Sequence, residues 1–481
     1  MKGKSSAIIV VVLLMFIAVA CAAPTPVVVK ETVVVPQTVV VPQTVIVNAP
    51  ASSAAPVATA VPPPTTAPTA VPTTPPTTGP TAAPVTIKAT LWDYDLYDYD
   101  KAMVQDFMKQ YPNIKVEVLN FANPDYDNKV TVMLNGGDDV DVVYAKSVAL
   151  FGGMISRNQV LDIKPLIQRD NLDLKPYGAS ITGYMTVGDK ILGLPYRYDR
   201  YLLYYNKDIF DAAGVPYPGP DLTWDDFRAL ALKLTKGSGA SKTWGALLCP
   251  VNYCNLTPGL QEGKGGYDTM DFSLFREGWS NFYAMEYTDK SAPDWPSLKS
   301  VSADQTYFLK GTTGMMINGT WFLNLVKTEI DAGHTTIHWG AQTVPVSKSM
   351  KAAGIHASNA SITPIVINAK SKNVEAAWTF IKYVTSERAG KIAASYLITP
   401  GYNSAGVVDA MSQVKGFDPS AKDAILKSGD AYPAVKGANK YAGALSTMVN
   451  QQLELFFTQN QDLDKTFSEM DRLRKEILAQ P

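Results

Sequence analysis

The chain has 481 residues, a formal net charge of −1, and only three cysteines and three histidines. Basic and acidic residues balance, and no arginine-rich stretch stands out, so nucleic acid is not an expected partner. The length suits more than one domain, and 46% hydrophobic residues are enough for large cores.

Met1 to Ser6 carries Lys2 and Lys4, and Ala7 to Ala20 is an unbroken apolar run ending in small residues before Cys21. A basic start, a short apolar stretch and a small-residue cleavage site predict a secretory signal over residues 1–20. The run is shorter than the roughly 20 residues a spanning helix needs. Cys21 directly after the cut resembles a bacterial lipobox, with Ala18 where Leu is more usual, which predicts lipidation at Cys21. The alternative is an ordinary signal with an incidental cysteine. Residues 21–85 then hold a Val-Val-Val-Pro-Gln-Thr repeat and, from Ala22, 15 of the 33 prolines, with Lys30 and Glu31 the only charges. Such a stretch offers little to bury against the entropy of ordering, and is expected to be an extended tether.

From Thr86 onward the pattern changes to alternating strand and helix signals. Thr86 to Trp92 is a predicted strand, Lys101 to Gln110 an amphipathic helix, Ile114 to Leu119 a second strand, Tyr126 to Leu134 a helix and Asp141 to Tyr144 a short buried strand. Thr223 and Asp226 make a capping-box start to a helix ending at Leu234. Asn373 precedes a helix with Ala377, Trp378, Ile381 and Val384 on one face. Leu445–Phe457 and Leu463–Leu478 are two final helices. This order predicts an α/β fold with a mostly parallel sheet and helices on both faces. Ligands of such sheets bind in loops beyond the carboxyl ends of the strands, here after Trp92, Tyr144 and Leu194.

Cys249 and Cys254, outside a reducing cytoplasm, fit either a disulfide or two free thiols. Neither they nor His334, His338 and His356 have metal-ligand spacing, and no cofactor motif occurs. There is no HExxH, GxSxG or phosphate-cradling loop. A secreted glycoside hydrolase working through two carboxylates is the enzymatic rival, but paired acids are common in any chain of this size.

Several segments in order carry a family resemblance. Asp106-Phe107 through Tyr111-Pro112-Asn113-Ile114-Lys115-Val116 is one, and Gly188 to Pro195 another. Tyr204-Tyr205-Asn206-Lys207-Asp208-Ile209-Phe210 with Ala213-Gly214 is the most specific. Thr223-Trp224-Asp225-Asp226-Phe227 and Gly311 to Trp321 complete the set. Together they resemble the family-1 extracellular solute-binding proteins of ABC importers, the sugar-binding group related to maltose-binding protein. The resemblance implies a two-lobed periplasmic-binding-protein fold of type II, closing over a solute in the cleft between the lobes. It implies lobe 1 at residues 86–197 plus 362–398 and lobe 2 at 198–361 plus 399–481, with crossings near Pro195–Leu202 and Ile355–Ile365. It further implies a monomer without catalytic activity, partnered by ABC permease subunits and held outside the membrane by its anchor. A sensor-coupled binding protein is the functional variant.

A sugar presents C–H faces and hydroxyls, so its site combines aromatic platforms with carboxylates, amides or arginine. In the Trp92–Asp100 loop, Tyr94 and Asp95 stand where the family's first-strand loop meets ligand. Tyr196, Arg197 and Asp199 lie at the predicted hinge, and Trp321 matches the family's Gly-x-Trp platform. Lys146 follows a strand end, Glu262 sits in a loop resembling a cleft loop, and Tyr402 is placed by position. Acidic residues 93–100 keep a polyamine as the alternative solute, with peptides and other small solutes behind it.

Overall fold

The computed structural model describes residues 83–248, 252–300, 305–435 and 439–480. The predicted signal, Cys21, the tether up to residue 82 and Cys249 lie outside them. Cys254 is buried. No described helix is long and apolar enough to cross a membrane.

The first half builds around β1 (Val85–Trp92), which pairs in parallel with β2 (Ile114–Phe121) and β3 (Val142–Tyr144). Its inner residues Ile87, Ala89 and Leu91 are buried at two-residue spacing. The first helix runs Asp98–Gln110, three residues earlier than its apolar stripe predicts. The earlier start puts Tyr99 one turn before Met103 and two before Phe107, and Asp100 one turn before Val104, so both enter the buried face. Phe107 meets Phe380 edge-on at 4.9 Å, joining this helix to Val374–Val384. Asn373 does not cap that second helix. Its amide instead donates to Asp141 Oδ1 at 3.2 Å, and Asp141 Oδ2 also accepts from Lys88 N at 2.9 Å.

A two-residue hairpin, β4 (Thr186–Val187) and β5 (Lys190–Ile191), leads into the 13-residue strand β6 (Leu194–Asn206). The second half holds β7 (Trp244–Leu247), β8 (Thr313–Gly319) and β9 (Trp339–Thr343). The chain then returns along β10 (Ala357–Ile367), and β11 (Asp430–Pro433) pairs with its start. Thr223 forms the expected capping box with Asp226 ahead of helix Trp224–Leu234.

β6 and β10 carry the chain between the halves. The first part of β6 pairs with β10, and Tyr201–Asn206 pair with β8 and β9. β10 likewise ends against β3. All of these contacts are antiparallel, so the sheet is mixed instead of mostly parallel. Period-two patterning fixes which face a strand buries but not its direction, so the sequence left this open. The β6–β10 register shifts between Thr363 and Pro364, where a proline without an N–H is tolerated.

The last helices, Ala442–Phe457 and Leu463–Ala479, pack on each other and on an aromatic stack. Trp279 lies flat between Phe275, at 4.7 Å, and Phe456, at 6.0 Å. Helix Ala442–Phe457 also touches helix Val148–Ser156, where a Cβ on Gly152 would meet Asn439 O at 2.9 Å.

Candidate ligand-binding cleft

A cavity of about 370 Å³ opens where the carboxyl ends of β1 and β3 face the helix that follows β8. β6 and β10 form its floor. Strand alternation turns Arg197 and Asp199 of β6 into it, with Ser361 and Thr363 of β10 directly across in register.

The floor is a compact ionic network. Arg197 Nη2 lies 3.1 Å from Asp199 Oδ2, and Arg197 Nη1 donates to Tyr99 Oη at 3.3 Å. Thr320 Oγ1 donates to Asp199 Oδ1 at 2.9 Å. Arg197 Nε is enclosed without a partner. Both charged residues are buried, at 7% and 4% exposure, so each depends on the other. Burial raises the Asp199 carboxyl above its usual range, while Arg197 and Thr320 oppose the rise.

Beneath this layer, Tyr196 donates to Asp100, and Tyr144 meets Tyr196 edge-on at 4.6 Å. Burial raises the Asp100 carboxyl to about 7, despite the opposing hydrogen bond from Tyr196 and the charge of Arg197. Tyr196 therefore supports the floor from behind and does not line the cavity.

On the first-half wall, Asp93 adopts a left-handed φ of 50°, a region that Asp tolerates better than most residues. Its carboxylate accepts Asn123 N at 2.9 Å, tying the loop after β1 to the loop after β2. Trp92, Tyr97 and Tyr99 reach the cavity, with the rings of Tyr97 and Tyr99 5.5 Å apart. Tyr94 and Asp95 do not. Tyr94 packs partly against the core, and Asp95 is exposed and accepts from Asn120 Nδ2 at 2.8 Å. Lys146 lines the cavity beside Ser147 and donates to Asn123 O at 2.6 Å and Asn123 Oδ1 at 2.5 Å. Burial lowers its ammonium below the usual lysine range.

The opposite wall is Trp321, with Asn324, Leu325 and Gln305 around it. Trp321 stands edge-on to Tyr201 at 5.3 Å and lies over Gly319. A Cβ on Gly319 would fall 2.0 Å from the indole, so only glycine admits this ring position. Glu262 is elsewhere, accepting from Ser347 Oγ at 2.5 Å and pairing with Lys264 at 3.0 Å. Tyr402 lines a different cavity and meets Tyr177 edge-on at 5.7 Å.

Of the residues singled out from the sequence, the cavity brings together Lys146, Arg197, Asp199 and Trp321. The i, i+4 spacing from Tyr99 to Met103 and Phe107 was a usable signal for Tyr99. Alternation along β10 was one for Ser361 and Thr363. Nothing local marks Gln305 or Asn324.

Two α/β lobes with a ligand-sized cleft between them, floored by crossing strands, define a solute-binding protein of the two-lobed type II class. The chain belongs to the bacterial extracellular solute-binding proteins, whose family pattern matches residues 94–391. A sugar transporter of Rhizobium etli in an open conformation is similar, with a TM-score of 0.71 at 29% identity over 81% of this chain and 99% of that one. A Listeria monocytogenes ABC substrate-binding protein in complex with cycloalternan shares the fold, with a TM-score of 0.68 at 21% identity over 82% and 97% of the two chains. Among curated relatives, the maltodextrin-binding protein of Bacillus subtilis is 28% identical over 216 residues, 44% of this chain and 48% of that protein. An sn-glycerol-3-phosphate-binding periplasmic protein of Agrobacterium fabrum is 31% identical over 171 residues, 33% and 38% of the two. The chain thus spans less than half the length of these curated relatives.

Proposed function

We propose that this protein captures a sugar or oligosaccharide in the cleft by lobe closure and delivers it to the permease of an ABC transporter. The observation that carries the reading is one cavity lined by aromatic rings from both halves over a polar, charge-paired floor. Trp321 on one side and Tyr97 and Tyr99 on the other supply C–H contacts, while Asp199, Arg197, Ser361 and Thr363 supply hydroxyl partners. Only binding is asked of these groups. Closure would turn on β6 and β10, with lobes of about residues 86–197 plus 362–398 and 198–361 plus 399–481. Helix Ala442–Phe457 would bridge them. Export, cleavage before Cys21 and lipid attachment there would leave a monomer on a tether at the outer face of the cell membrane.

A phosphorylated polyol is the second reading. It is favoured by Lys146, a half-buried cation on the cavity wall whose hydrogen bonds run to Asn123 and not to a carboxylate. A thermal-shift screen of the full chain against sugars, glycerol phosphates, polyamines and peptides separates these. A ligand at 100 times its Kd stabilises by about 2.7 kcal/mol. A shift with one sugar class supports the first reading, and shifts confined to phosphate esters support the second. Shifts only with polyamines or peptides overturn both.

A further inference from the structure

The cleft does not end at Lys146. Beyond it lies a smaller chamber of about 30 Å³, and Lys146, Ser147 and Ser361 line both spaces. Tyr184 and Tyr267 wall the chamber, and Asn359 enters it from the same face of β10 as Ser361 and Thr363. Thr257 Oγ1 donates to Asn359 Oδ1 at 2.7 Å, which fixes that amide.

Charge is unbalanced across the two spaces. The charged residues lining them are Lys146, Arg197 and Asp199, and the last two neutralise each other at 3.1 Å. Lys146 is left over. Among the described residues it forms no ion pair, and its near neighbours are Asn123 and, at 6.0 Å, the ring of Tyr126. Asp93 and Asp127 favour its charge from further off and line neither space. Two of its three N–H groups meet Asn123 O and Asn123 Oδ1, so one donor remains. Ser147 beside it accepts from Leu150 N at 3.0 Å and keeps its O–H to give.

A half-buried ammonium met only by neutral oxygens gains most from an anion, because charge-assisted hydrogen bonds are about twice as strong as neutral ones. The chamber has room for about two water-sized groups, at roughly 10–15 Å³ each. That matches the two oxygens of a carboxylate, whereas a phosphate brings three.

We infer that the solute is an acidic saccharide carrying a hexuronate unit, with its rings against the aromatic walls of the cleft and its carboxylate in the chamber beside Lys146 and Ser147. This rests on the saccharide reading of the cleft and narrows it to one charged class. Lys146 is then the residue that selects acid over neutral sugar.

Calorimetric titration of the full chain tests it, using glucuronate, galacturonate, mannuronate and their di- and trisaccharides, each beside its neutral parent, together with the hexose 6-phosphates. The expected result is saturable binding of a uronate, at least tenfold tighter than its neutral parent and than the matching 6-phosphate. Lys146→Met should bring the ratio of acid to neutral affinity close to one. Ala434→Leu, which fills the chamber from its wall without touching a charge, should do the same and serves alone if the lysine variant does not fold. Neutral sugars binding as tightly as uronates would overturn the inference and leave the saccharide reading standing. Tightest binding by the 6-phosphates, or a uronate preference that survives either substitution in a folded variant, would overturn it as well. Silence from every saccharide would overturn the reading and the inference together.

Discussion

Tyr99 and Trp321 are both aromatic walls of one cleft, yet they are held in opposite ways. Tyr99 is 2% exposed, sits in the first turn of a helix, and is fixed by Arg197 from the front and Asp100 from behind. Trp321 is only partly buried and rests on Gly319 and Tyr201 by packing. One wall is therefore held by buried polar partners, and the other by packing against its neighbours alone. Perturbing the floor should cost folding, and perturbing the platform should cost binding.

The largest expected effect is on the floor. Asp199→Ala leaves Arg197 buried without its carboxylate and should cost about 3–5 kcal/mol in denaturant unfolding. A change below 1 kcal/mol would mean that water reaches the pair. Trp321→Ala is expected to weaken cleft-ligand binding at least tenfold by calorimetry, while the thermal midpoint stays nearly constant. A large drop in the midpoint would erase the contrast between the two walls. Gly319→Ala should act in the same direction and more gently, because the indole must move away from a new Cβ. Recovery of full affinity in that variant would show that ring position does not matter.

Asp100 sharpens the comparison through pH. Its folded pKa of about 7 stands above the unfolded value of 3.8, so the native state holds the proton more tightly between those limits. Its contribution is fully present below about pH 4 and is lost as pH rises through about 7. Tyr196, Tyr99 and Arg197 face it. Asp100→Asn should flatten that part of the stability profile, and an unchanged slope would place the titration elsewhere. The smallest effect is expected at Asp95, where Asp95→Asn should alter neither binding nor stability by more than about 0.5 kcal/mol.

How much of this was legible in the residues varies by element. The capping box at Thr223 and the strands at 86–92 and 114–119 rest on local patterns, and they stand in the structure with small shifts at their ends. The loop after β1 advertised a sugar-site composition, but composition does not say which side chain turns inward. The helix begins at Asp98, so Tyr97, Tyr99 and Asp100 turn inward while Asp95 and Asp98 stay in water. Along β6, alternation separates Arg197 and Asp199 from Tyr196, Tyr198 and Arg200, a division visible only once the strand is known to continue through all of them.

By itself the sequence determined the local pieces: an export-like start, a proline-rich stretch with few charges, the order of strands and helices, and the motifs of a solute-binding family. These depend on short-range periodicity and side-chain chemistry, which a linear chain displays. Tertiary structure alone decided the direction of the crossing strands, the second face of β6 and the convergence of Gln305, Asn324 and Trp321 with residues some two hundred positions away. Those choices depend on which distant surfaces exclude water together, and no local pattern encodes that.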